Sequence, residues 1–232
     1  MKGEKIKNTE NPELNFTEDE IVARANIVVK PYAVNVYMGY GWDGDNVLSD
    51  KYWKFWRGKF SSICEHAEEN IKKICPYFVA GFNRLRASHS QFVYNSIVEK
   101  IRAADVLIFD FSAANGIGFN SNVLIEFGIA LGLGKEPFLL CNENLSPDNL
   151  KKLKDLKIVK NNNVFATPKF PSDIGAYTIS FYSVEEKNGK WSAKFKEPSA
   201  FYSKLRGRIT DAANKKLVNY LENKKLSSED RI

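Results

Sequence analysis

Residues 103–135 read AADVLIFDFSAANGIGFNSNVLIEFGIALGLGK, and this stretch decides the fold. Residues 106–109 form an apolar run of strand length that ends on Asp110. A loop rich in Gly and Asn follows, then an apolar helix carrying one carboxylate, Glu126. Strand, polar loop and helix together are the unit of open α/β sheets, which hold ligands outside the carboxyl ends of their strands. Asp110, Ser112, Asn120, Asn122 and Glu126 all fall at such an end. A charge inside VLIEFGIALGLG, apolar on nearly every side, calls for a reason beyond solvation.

Working outward, residues 32–37 (YAVNVY) and 77–82 have strand character, and 51–74 and 90–104 have helical spacing. In the first helix Trp53, Trp56, Phe60, Ile63, Cys64, Ala67, Ile71 and Ile74 recur at three and four residues and make one apolar face, which reads as core. Val93, Ile97, Ile101 and Ala104 do the same in the second. Residues 137–141 (PFLLC) give a fourth strand, and the β-α-β-α-β-α-β alternation predicts a parallel sheet with right-handed crossovers. Further on come a short basic helix at 150–156 and a fifth strand at 164–167. A hairpin of 178–184 with 191–195 turns on Asn188-Gly189, a strong turn signal. The last helix, 198–226, has Phe201, Leu205, Ile209, Ala212, Leu217 and Leu221 as its buried stripe.

Composition narrows the function classes. The 232 residues suit one large domain, or one domain with appendages, and can bury a sizeable core. No window reaches the roughly 18 apolar residues of a membrane helix, and MKGEKIKNTENPELNF lacks the apolar centre of a signal peptide, so a cytoplasmic location is expected. Cys64, Cys75 and Cys141 show no paired metal spacing, so neither a structural zinc site nor a disulfide scaffold is expected. The formal charge of +6 is uneven: residues 1–150 hold 16 Lys and Arg against 19 Asp and Glu, and residues 151–232 hold 18 against 9. Lys151, Lys152, Lys154, Lys157 and Lys160 spread around a helix without interleaved aromatic residues, so this excess reads as solvated surface and no tight nucleic-acid binding is expected.

Asn122 and Glu126 are four apart and share a helix face toward the strand-end loops. The helix dipole favours an ionised carboxylate there, so Glu126 is expected to stay negative at neutral pH unless it is deeply desolvated. A fixed anion suits a developing cation. Cleavage of a ribosyl C–N bond passes through an oxocarbenium-like sugar, which a carboxylate beneath the anomeric carbon stabilises or attacks. Asp110, Ser112, Asn120 and Asn122 would then bind sugar hydroxyls. Asn122 equally suits a helix N-cap, and Asp110 equally suits a plain strand end. Beyond the first strand, Tyr40, Trp42 and Asp43 suit a base and a hydroxyl, although Trp42 also suits a loop anchor packed on the core. Arg84 and Arg86 are either phosphate ligands or ordinary surface arginines. His66 and His89 stand apart from any triad-like pattern and read as structural.

ADVLIFDFS followed by FNSNVLIEFGIALGLGK resembles the signature shared by nucleoside 2-deoxyribosyltransferase-like proteins and their TIR-like relatives. That signature is a DxS after a strand, then NxNVxxExGxAxxxGK. Asp110, Ser112, Asn120, Asn122, Val123, Glu126, Gly128, Ala130, Gly134 and Lys135 match it. The resemblance covers about thirty residues; it is weaker around Gly39 to Trp42 and in FPSDIGAY, and absent from the C-terminal tail. It implies that Glu126 is the catalytic carboxylate, with Gly39, Tyr40, Trp42, Asp43, Arg86, Asp110, Ser112, Asn120 and Asn122 around the substrate. Family members cleave or exchange N-glycosidic bonds in nucleosides, nucleotides or NAD. Others bind or sense nucleotide signals, and several TIR-like members belong to bacterial antiviral systems.

The expected architecture is an α/β, flavodoxin-like three-layer sandwich around a central parallel sheet, with a C-terminal β-hairpin and helix. Residues 1–20 form a flexible arm, 21–175 the core, and 176–232 a hairpin and basic helix packed on it. The expected activity is N-glycosidic cleavage of NAD or a nucleoside 5′-monophosphate. NAD, a substrate here and not a cofactor, needs the least machinery because nicotinamide leaves from a cationic state without a general acid. No cofactor or metal is expected, and the resemblance to TIR-like proteins implies a homo-oligomer. The rival outcomes are a nucleotide-binding sensor or adaptor without turnover, and a nucleoside 2-deoxyribosyltransferase.

Overall fold

A computed structural model describes residues 32–41, 47–73, 79–85, 93–113, 118–150, 159–160, 163–164 and 177–229. In order these form β1 (Tyr32–Gly39), α1 (Val47–Ile71), β2 (Ala80–Leu85), α2 (Val93–Ala103), β3 (Val106–Asp110), α3 (Ser121–Gly132) and β4 (Phe138–Asn142). Two short strands follow, β5 (Val159–Lys160) and β6 (Asn163–Val164), then β7 (Ile179–Lys187), β8 (Lys190–Phe195) and α4 (Pro198–Glu229). The class is α/β. Six strands hydrogen-bond in the order β2-β1-β3-β4-β7-β8, and β5 pairs with β6 alone. The β1–β3, β3–β4 and β4–β7 pairs are parallel, and β7–β8 is antiparallel.

The expected hairpin thus enters the main sheet: β7 lies parallel to β4 in the fifth place. Asn188 and Gly189 take φ of 52° and 73°, the left-handed pair that a two-residue turn demands and that Asn-Gly supplies at low cost. The arm at 1–20 and most of the basic helix expected at 150–156 lie outside the described residues. So does the strand expected at 164–167, except for Val164 in β6.

The chain divides into two compact units, one of Met1–Val34, Lys59–Asn83 and Lys204–Ile232, the other of Asn35–Gly58 and Arg84–Ser203. In the first, α1 buries Phe60, Ile63, Cys64, Ala67 and Ile71, and α4 buries Leu205, Ile209, Ala213, Leu217 and Leu221. Ala213, not Ala212, completes that stripe, since the helix keeps four-residue steps from Leu205 through Ile209 to Leu217.

The second unit holds the site. Period-two alternation sends Leu107, Phe109 and Phe111 to one sheet face, where they join Tyr37, Ile101, Val123, Phe127 and Ala130 in a single apolar cluster. On the other face Trp56, Phe195 and Phe201 make the ring core, with Phe195 and Phe201 stacked at 4.4 Å between centroids. Burying each such ring contributes about 2–3 kcal/mol. The α1 stripe starts at Tyr52 and not at Trp53, because Tyr52, Trp56 and Phe60 are four apart while Trp53 lies beneath the Arg84 guanidinium at 3.9 Å. Just past α3, Lys135 Nζ donates to Arg102 O at 2.9 Å and Ala104 O at 3.1 Å, occupying carbonyls that the end of α2 leaves open.

Candidate active site

The β1–β3 pair is where strand order reverses, and its final rung is Gly39 opposite Phe109. Glu126 reaches back from α3 to this rung. A Cβ built on Gly39 would overlap Glu126 Oε2 and stand 2.6 Å from Phe109 Cδ1, so only glycine admits the carboxylate here. Oε2 is buried with no hydrogen-bond partner among the described residues. The Tyr37 hydroxyl hydrogen-bonds the carboxylate from two residues back on the same face of β1.

Burial raises the Glu126 pKa to about 7, and the Tyr37 bond opposes that rise. The carboxyl is therefore drawn toward its protonated form near neutral pH, the desolvated case that the expectation of an anion set apart. Position explains the difference: Glu126 sits six residues beyond the cap, past the first turn in which the helix dipole acts. The apolar wall of Phe109 then dominates. Tyr37 itself is pushed well above the ordinary phenol range by burial and by the neighbouring carboxylate.

The other expected ligands have local work. Asn120, not Asn122, caps α3: its side chain accepts the Val123 N–H at 3.1 Å and its own N–H reaches Phe111 O at 2.8 Å. Asn122 lies one residue inside the helix with an exposed side chain, one turn before Glu126. Asn120→Ala should cost about 1 kcal/mol of stability, read as a lower urea midpoint; an unchanged midpoint would remove the cap from the account. Ser112 Oγ accepts the Asn142 N–H at 2.6 Å and so ties the loop after β3 to β4. Asp110 is buried on the opposite sheet face from Glu126, its Oδ1 accepting the Ser112 N–H at 3.0 Å and its Oδ2 the Tyr182 hydroxyl. Burial raises its pKa against the pull of those donors.

The expected constellation therefore divides across the sheet. Glu126 and Gly39 meet on the α3 side, with Tyr37 added; Asp110 belongs to the other side. No protein-family model and no curated protein matches the chain. The local chemistry has to speak for itself. Tyr40, next after Gly39, stacks on Tyr52 at 4.7 Å and accepts a 2.5 Å hydrogen bond from Arg84, which anchors the exit of β1. Trp42, Asp43 and Arg86 lie outside the described residues. Among the described residues no group of three or more His, Cys, Asp or Glu side chains is placed to hold a metal ion.

Tyr37 is the residue that sequence reading missed. The available signal was its place two before Gly39, which puts both on one strand face. Because its hydroxyl favours the ionised carboxylate, Tyr37→Phe should raise the Glu126 pKa above 7 and move the acidic limb of any pH–rate profile to higher pH. A limb that stays in place or moves down would remove Tyr37 from the site.

Proposed function

We propose that the protein is a nucleotide N-glycosidase that cleaves the ribosyl–base bond of NAD or a nucleoside 5′-monophosphate, with Glu126 as the catalytic carboxylate. One observation carries this reading: a buried carboxylate oxygen without a hydrogen-bond partner, over a glycine at the carboxyl end of β1, where the strand order reverses. Such a position suits a ligand at a topological switch point, and the order β2-β1-β3-β4-β7 agrees with a flavodoxin-like sheet.

Drawn toward its protonated form by burial, Glu126 would be driven to its anion by a cationic ribosyl centre, because the positive charge replaces the solvent that burial removed. The base then leaves with the bonding pair, and water adds to the anomeric carbon while releasing a proton. Nicotinamide departs neutral. Family resemblance adds weight to this reading over a purely structural carboxylate, and the short run that carries it includes Glu126 itself. Among the described residues no helix is long and apolar enough to cross a membrane.

The deciding experiment incubates the purified protein with NAD, nucleoside monophosphates and deoxynucleosides and separates the products by chromatography. Free base supports the N-glycosidase. Base exchange between deoxynucleosides would replace it with a transferase, and ligand binding without product would replace it with a sensor.

A further inference from the structure

The Asp110 carboxylate and the tyrosine that binds it are buried, polar and unused by the chemistry above. Tyr182 lies on β7, 72 residues after Asp110 and outside the stretch that carries the family resemblance. We propose that Tyr182 is a positioning residue for Glu126: acting through Asp110, its hydroxyl fixes the segment between β3 and α3, and with it the first turn of the helix that bears the carboxylate.

The connection can be followed bond by bond. Tyr182 Oη donates to Asp110 Oδ2, and Asp110 Oδ1 accepts the Ser112 N–H at 3.0 Å. Ser112 Oγ accepts the Asn142 N–H at 2.6 Å, and the Phe111 N–H reaches Leu140 O at 3.0 Å, so β4 holds the same two residues. Phe111 O in turn accepts the Asn120 N–H at 2.8 Å, and Asn120 caps α3 through the Val123 N–H at 3.1 Å. Every bond in this sequence joins residues of the segment to one another, to β4 or β7, or to the first turn of α3. Removing the Tyr182 hydroxyl leaves a buried carboxylate oxygen without its donor, and the least costly remedy is for the segment to turn Asp110 toward water. Glu126 lies about a turn and a half beyond the cap, so a shift there carries it off the Gly39 rung.

The test is amide hydrogen exchange in Tyr182→Phe at the Ser112, Asn120 and Val123 N–H groups. Ile108 and Leu139 report on the strands. Tyr202→Phe is the control, because the half-buried Tyr202, like Tyr182, packs its ring on Phe195 but sits on α4. Exchange at the three loop and cap amides should accelerate about tenfold more than at the two strand amides in Tyr182→Phe, and not in Tyr202→Phe. Equal acceleration everywhere, or none, would overturn the proposal, as would the same local pattern in the control. The kinetic arm rests on the N-glycosidase reading: kcat should fall about tenfold with KM nearly unchanged, as expected of a displaced group that acts in the transition state. Local exchange with unchanged kcat would also overturn it. A wild-type protein that releases no base would defeat that reading alone, since the exchange arm stands without turnover.

Discussion

Glu126→Gln should lower the rate of base release about a thousandfold or more while making the protein more stable than the wild type at pH 8, relative to their difference at pH 5. The kinetic half follows from charge. Glutamine keeps the size of the side chain but cannot stabilise an oxocarbenium-like sugar, and a preorganised anion in a water-poor site is worth several kcal/mol of barrier. The stability half follows from linkage. A carboxyl whose pKa rises from 4.5 to about 7 on folding binds more protons in the native state than in the unfolded one across that window. Wild-type stability therefore falls as pH climbs from 4.5 to 7, and the full penalty, about 3 kcal/mol at most, applies above 7. Glutamine does not titrate, so whatever its new amide costs is the same at both pH values. Thermal melts of the two proteins at pH 5 and pH 8 give the difference directly. Should Glu126→Gln release base at a rate comparable to the wild type, the catalytic assignment is wrong; a stability difference independent of pH would mean that the carboxylate is not desolvated.

Gly39→Ala should be the second most damaging single change in the site. The added methyl overlaps Glu126 Oε2 and approaches Phe109 Cδ1 to 2.6 Å, and Phe109 is fully buried with its ring edge-on to Phe127. The ring has nowhere to go. The carboxylate, at the end of a flexible side chain, must yield instead, and a displacement of about 1 Å in a catalytic group can cost roughly a hundredfold in rate. Overpacking of the rung adds about 1–3 kcal/mol of lost stability. Combined with Glu126→Gln, the rate loss should be far from additive, because both changes disable one group. Additive effects would show that Gly39 acts on something else.

Much of this could be read from the sequence because its signals are local. The β3 strand is bounded as expected, since an apolar run ends on a charged residue. The Asn-Gly turn specified its own backbone. Helix α1 was legible as an amphipath from Trp56 to Ile71, and only the first member of its stripe differs, because Tyr52, four residues before Trp56, is buried while Trp53 packs under Arg84. Strand β2 extends to Leu85, past the 82 expected for it, and its Arg84 guanidinium packs on Trp53; residues 77 and 78 of the expected strand lie outside the described residues. Grouping Asp110 with Glu126 overlooked alternation: if Phe109 faces α3, the next residue cannot. Tyr182 gave no local sign of its role, for its partner is 72 residues away and joins it only through the β4–β7 pairing. Asp110, Ser112, Asn120 and Lys135 are motif residues that build the frame, while Glu126 keeps an oxygen to spare.

The distance between Asp110 and Tyr182 also sets an order of events during synthesis. At typical elongation rates of about 5–20 residues per second, the ribosome needs roughly 4–14 s after adding Asp110 to add Tyr182, 72 residues later. Until then β4 is an open edge and the aspartate lacks its phenol. A nascent chain can form the β3–α3 unit early, yet it cannot hold Glu126 in its working position before the hairpin has emerged and docked. On the proposed reading, base release by a nascent chain waits until β7 has been added and has paired with β4.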